Sequence, residues 1–109
     1  MYYIGIDVGG TAVKLGLFKE TSELVSRTNF PTKTIEFLVG DIVKHINKIF
    51  KDNNIDIKEL RGIGIGFPGH VDGESGIVVY SNNLVAHNFP IVEKIQEHIN
   101  VPIRISNDA

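Results

Sequence analysis

The sequence predicts an α/β fold, a mixed five-stranded sheet with helices, and three observations point to it. The first thirty residues alternate apolar and polar positions in three short runs, the pattern of antiparallel strands. Residues 34–53 then carry apolar side chains at three- and four-residue spacing, as an amphipathic helix requires. Two later β-rich runs, at 60–67 and 103–106, are separated by a second helical pattern, so they and the first strand are expected to lie parallel through right-handed crossovers.

Residues 2–7 are β-rich, and after the turn Gly9-Gly10-Thr11 the run 12–18 places Val13, Leu15 and Leu17 on one face, which predicts a hairpin. A polar turn at 19–23 leads to a third strand, 24–30, ended by Pro31. Ile35, Leu38, Val39, Ile42, Ile46, Ile49 and Phe50 form the stripe of the long helix, with Thr32 or Thr34 as its N-cap. In the run 60–67, Gly62, Gly64 and Gly66 alternate with Ile63 and Ile65, as in a strand closely approached by other backbone on one face. After Pro68-Gly69, residues 71–80 predict a small hairpin around 72–76, followed by an asparagine-rich loop at 81–88. Pro90 suits the first turn of a helix carrying Ile91, Ile95 and Ile99, which Asn100-Val101-Pro102 ends. The last strand delivers Asn107-Asp108 at its carboxyl end. Leu17, Phe18, Phe37, Phe50 and Phe67 are expected in the core or at its edge. The order β-β-β-α-β-hairpin-α-β is that of a ribonuclease-H-like half. Ligands of such open sheets gather at the carboxyl ends of parallel strands, here near Asp7, Gly69 and Asp108.

One domain is the natural count for 109 residues, and a chain of this size buries roughly two-thirds of its unfolded surface. A helix normally follows the last strand to cover the second face of such a sheet, so the chain reads as a fragment. The net charge of −2 and scattered lysines give no footprint for nucleic acid. Without cysteine there is neither a disulfide framework nor a thiolate zinc site. No apolar run approaches the ~20 residues of a membrane span and Met1 leads directly into a strand, so a cytoplasmic setting is expected. His45 and His98 fall in amphipathic helices as surface or boundary residues, His87 lies in the asparagine-rich loop, and no histidine is assigned a metal.

Three motifs carry chemistry. In Asp7-Val8-Gly9-Gly10-Thr11 with Lys14, glycines in a hairpin bend let backbone N–H groups approach a phosphate, and a carboxylate at the strand end can hold Mg²⁺ through water. Gly-Gly is also a favoured hairpin turn in its own right. In the stretch from Gly62 through Pro68-Gly69 to Asn82, a Pro-Gly bend exposes N–H groups where a sugar hydroxyl can bind; a plain glycine-rich strand and turn would account for the glycines alone. Asn107-Asp108 after Val101-Pro102 and a short strand is either a turn or an acid at a strand end.

Taken together and in this order, the motifs resemble the ROK family within the sugar kinase, actin and Hsp70 superfamily, over essentially the whole chain. The resemblance implies the N-terminal, actin-like ATPase domain of a two-domain, ATP- and Mg²⁺-dependent sugar kinase, truncated after residue 109. Asp108 would be the catalytic base; Asp7, Gly9, Gly10, Thr11 and Lys14 would serve the ATP phosphates and Mg²⁺; Gly69, Asn82, Asn107 and Asp108 would hold the sugar, a hexose or N-acetylhexosamine. His70 stands where proline is usual in the family's glucokinases, which bears on the sugar's identity. Because the family's adenosine pocket, two further sugar-binding residues and a structural zinc site lie in its C-terminal domain, the 109 residues alone are expected to be inactive and to bind sugar weakly. A homodimer is expected of the full-length protein.

The family also includes sugar-responsive transcriptional repressors, which carry a winged-helix domain ahead of the first motif. Met1 beginning the strand, the mild acidity and Asp108 favour the kinase. A nuclease of the same fold would need clustered metal-binding carboxylates and a basic surface, neither of which is apparent.

Overall fold

The computed structural model of the chain describes residues 1–81 and 86–107. Strands β1 (Tyr2–Val8), β2 (Ala12–Lys19) and β3 (Leu24–Pro31) form an antiparallel meander. Helix α1 (Ile35–Asp52) crosses to β4 (Leu60–Phe67), which lies parallel to β1. A small antiparallel sheet of β5 (His70–Asp72), β6 (Ile77–Ser81) and β7 (Ala86–Phe89) comes next, then α2 (Ile91–Gln96), and finally β8 (Ile103–Asn107), parallel to β4. The main sheet runs β3-β2-β1-β4-β8, the mixed five-stranded arrangement expected.

Alternation decides which face is covered. Ile4, Ile6 and Val8 of β1, Val13, Leu15 and Leu17 of β2, and Ile63, Ile65 and Phe67 of β4 are all buried under the helices. The whole stripe predicted for α1 is buried with them, from Ile35 to Phe50, as are Ile91 and Ile95 of α2. Each such side chain removed from water contributes about 1.5–3 kcal/mol, so this single face supplies most of the driving force for folding.

Several local expectations are corrected. Phe37 is 61% exposed rather than in the core. It lies two residues after Ile35, about 200° around the helix at 3.6 residues per turn, and so opposite the apolar stripe. Residues 86–88, the end of the expected loop, form β7 together with Phe89, because β6 offers them a pairing edge: Val78 opposes Phe89 and Tyr80 opposes His87. Gly62 and Gly64 of β4 are not closely pressed by other backbone. A methyl group added at Gly64 would meet nothing within 4 Å, and one at Gly62 only ordinary contacts with Tyr3 and Pro102. A short 3-10 turn at Ile57–Glu59 also precedes β4, capped by the Asp56 carboxylate.

At the start of α1, Thr34 occupies the N-cap position but its side chain makes no cap bond. Its hydroxyl engages the Glu36 carboxylate instead, which holds that carboxyl below its usual range. The small hairpin is fastened to α2 at Gly76, whose φ of 70° and near-contact with Val92 exclude a side chain; the Val92 N–H donates to the Gly76 carbonyl at 3.2 Å.

Candidate functional site

The parallel register brings the three motif-bearing segments to one edge of the sheet. Asp7, near the end of β1, is paired with Gly66 on β4, and the next β4 residue, Phe67, is paired with Asn107 on β8. The chain turns out of β4 through Pro68-Gly69, and Gly69 has a φ of 118°, a conformation open to glycine. Asp7, Gly69 and Asn107 are all exposed. The side-chain amide of Asn107 donates to the Gly69 carbonyl, so the second and third motifs are joined directly.

On the other side of Asp7, the antiparallel register sets Lys14 of β2 opposite it. Opposite charges on facing residues commonly pair, yet neither side chain joins an ion pair among the described residues. Both remain exposed at the rim, with the carboxylate and ammonium available to a ligand.

The turn 9–11 between β1 and β2 is tight. The Gly9 N–H donates to the Ala12 carbonyl at 2.9 Å, and a Cβ on Gly9 would lie 2.7 Å from that same oxygen. Glycine is therefore dictated by the fold of the turn itself. The N–H of Gly10 makes no hydrogen bond among the described residues, and Gly10 and Thr11 are exposed. A free N–H at an exposed bend, with Lys14 and Asp7 beside it, fits a phosphate chain and a hydrated divalent cation.

A contributor invisible to motif reading is Thr32. The sequence marks it only as an alternative helix cap, but its hydroxyl donates to the Gly9 carbonyl at 2.8 Å and its N–H to the Thr11 carbonyl at 3.0 Å. No local pattern signals a contact that spans 23 residues.

Asn82 and Asp108 lie outside the described residues, as does the side chain of His87. In the second motif the Asp72 carboxylate closes the hairpin turn, accepting from the N–H groups of Glu74 at 3.1 Å and Ser75 at 3.5 Å. The Ser75 hydroxyl and those two N–H groups hold its carboxyl below the usual aspartate range. His45 is a boundary residue: its ring stacks on Phe30 at 4.1 Å between centroids, and Nδ1 lies 2.8 Å from the Asp41 carbonyl. An open trough of about 700 Å³ runs along the sheet face away from the helices, between Asp7 and Lys14 at one end and Phe18 and Leu24 at the other. No helix among the described residues is long and apolar enough to cross a membrane.

The chain is 28% identical over 111 residues to a glucokinase of Halalkalibacterium halodurans, covering 99% of this chain and 34% of that protein. It is 35% identical over 111 residues to an N-acetyl-D-glucosamine kinase of Aliivibrio salmonicida, covering 100% and 35% respectively. The ROK family glucokinase of Streptomyces griseus, solved in complex with glucose and AMPPNP, superposes with a TM-score of 0.86 at 26% identity, over 100% of this chain and 34% of that one. The chain thus spans about a third of the length of the relatives it matches. Its fold is that of the N-terminal part of ROK kinases, of the actin-like ATPase type. With residues 3–109 matching the family and the same fold found along the whole chain, the chain belongs to the ROK family.

Proposed function

We propose that these residues form the N-terminal domain of an ATP-dependent sugar kinase that transfers the γ-phosphoryl group to a hydroxyl of a hexose or N-acetylhexosamine. The observation that carries this reading is the convergence of Asp7, Gly69 and Asn107 on one sheet edge through the β1-β4-β8 register. The glucokinase and N-acetyl-D-glucosamine kinase relatives support it and bracket the sugar class.

Phosphoryl transfer asks a protein chiefly for positioning, charge neutralisation and an acceptor for the hydroxyl proton. Gly10 and Thr11 present backbone donors to the phosphate oxygens, Gly9 shapes the turn that carries them, and Lys14 adds a positive charge beside them. Gly69, Asn82 and Asn107 orient the sugar. Asp108, the residue after Asn107, accepts the proton of the attacking hydroxyl as its oxygen bonds to the γ-phosphorus and the bond to the β–γ bridging oxygen breaks, releasing ADP. Asp7 is the residue to hold Mg²⁺ through water, and that ion, when bound, neutralises charge on the phosphate oxygens. The adenosine pocket and the remaining sugar contacts belong, in this reading, to the rest of the full-length protein.

The test is ADP release by the full-length polypeptide with glucose, mannose, fructose, N-acetylglucosamine and N-acetylmannosamine, run beside Asp108→Asn. Sugar-dependent turnover that falls by roughly 10²–10⁴-fold in the variant is expected for loss of a general base. Binding of DNA at physiological salt with no turnover of any sugar would instead identify a sugar-responsive regulator.

A further inference from the structure

We propose that Thr32 is a positioning residue that aims the donors of the 9–11 turn at the phosphate chain; the inference rests on the kinase reading for its ligand. Thr32 follows β3 immediately, and it grips the turn at two points. Its hydroxyl donates to the Gly9 carbonyl at 2.8 Å, and its N–H donates to the Thr11 carbonyl at 3.0 Å. Among the described residues there is no cis peptide bond, and in a trans peptide the C=O and the following N–H point in opposite directions. Drawing the Gly9 carbonyl toward Thr32 therefore turns the Gly10 N–H away from it. Drawing the Thr11 carbonyl the same way turns the Ala12 N–H outward as well.

The arrangement solves a specific problem. A Gly-Gly turn is free to rotate its peptide planes, and a phosphate site built on it would lose affinity to that freedom. The bond from Gly9 N–H to the Ala12 carbonyl closes the turn but does not orient the plane between Gly9 and Gly10. The Thr32 hydroxyl does. Thr32 is half-buried, so its bond is partly shielded from competing water. It acts through the turn, which both of its bonds grip.

Thr32→Val removes the hydroxyl at nearly constant shape, and Thr32→Ser restores it. In the full-length polypeptide, Thr32→Val is expected to raise KM for ATP by roughly three- to tenfold, the usual worth of one hydrogen bond, with KM for the sugar within about twofold of the parent and recovery in Thr32→Ser. The dissociation constant of inorganic tripolyphosphate, measured by calorimetry, should shift in the same direction and by a similar factor. Unchanged ATP and tripolyphosphate affinity in a folded Thr32→Val protein overturns the proposal, as does an equal rise in both KM values. If Thr32→Val does not fold, Thr32→Ser decides: wild-type affinity supports the hydroxyl's role, and a loss as large as tenfold refutes it. Turnover with no dependence on Thr32 sinks this inference and leaves the kinase reading intact. Tripolyphosphate binding that depends on Thr32, in a protein with no turnover, does the reverse.

Discussion

The side-chain amide of Asn107, at the end of β8, donates to the carbonyl oxygen of Gly69, 38 residues earlier, in the bend that leaves β4. The strand leading to Asp108 and the Pro-Gly bend are thereby held as one unit. Asn107→Ala removes this tie. In the full-length polypeptide we expect the KM for the sugar to rise by roughly three- to tenfold while the KM for ATP stays near the parent value. Sugar kinetics equal to wild type would show that the bend holds its shape unaided.

Gly9 and Gly64 make opposite demands although both sit in glycine-rich runs. A Cβ at Gly9 would come within 2.7 Å of the Ala12 carbonyl oxygen, whereas one at Gly64 would meet nothing within 4 Å. Gly9→Ala is expected to destabilise by about 1–3 kcal/mol, because backbone must shift to admit the methyl group. Gly64→Ala is expected to be neutral or to stabilise by up to about 1 kcal/mol, through the reduced freedom of the unfolded chain. Thermal denaturation of the two variants of this chain, side by side, checks the contrast.

The same comparison applies on α1. Ile42 has 0% exposure and Phe37 has 61%. Ile42→Ala should cost roughly 2–5 kcal/mol through lost burial and a residual cavity. Phe37→Ser should lie within about 0.5 kcal/mol of wild type. Urea midpoints for both variants provide the measurement, and a large loss at Phe37 would mean that it packs against something.

Asp72 predicts a pH dependence of the small hairpin. The Ser75 hydroxyl and the N–H groups of Glu74 and Ser75 stabilise its charged form, so its folded pKa lies below the unfolded one. The stabilisation is therefore complete above the ordinary aspartate range and fades as pH falls through the lowered folded value. The Glu74 and Ser75 amide resonances should move together on acidification, with a midpoint below that of an unstructured aspartate. A midpoint at or above that value would contradict the capping geometry.

Much of the architecture was legible in the residues because burial patterns have few solutions. The pattern at 60–67 coincides with the limits of strand β4, and the α1 stripe from Ile35 to Phe50 is buried throughout. The remaining elements depend on a neighbour. Residues 86–88 look like loop until β6 stands beside them. Residue type alone puts Phe37 in the core or at its edge, and its angular position on the helix decides otherwise. The three motifs were recognisable as strings, and Asp7, Gly69 and Asn107 do meet at one edge.

By itself, then, the sequence determined the periods, the turns, the order of elements and the family, because alternation, helical stripes and glycine placement are local properties that chain neighbours carry. Only the tertiary structure decided that Thr32 grips the Gly9-Gly10-Thr11 turn, that Asn107 holds Gly69, that Asp7 faces Lys14 without an ion pair, and that Gly64 of β4 looks onto open space. These relationships join residues from separate strands. Their existence depends on which strand lies beside which and in what register, which is settled when the whole sheet closes on its core rather than by any segment alone.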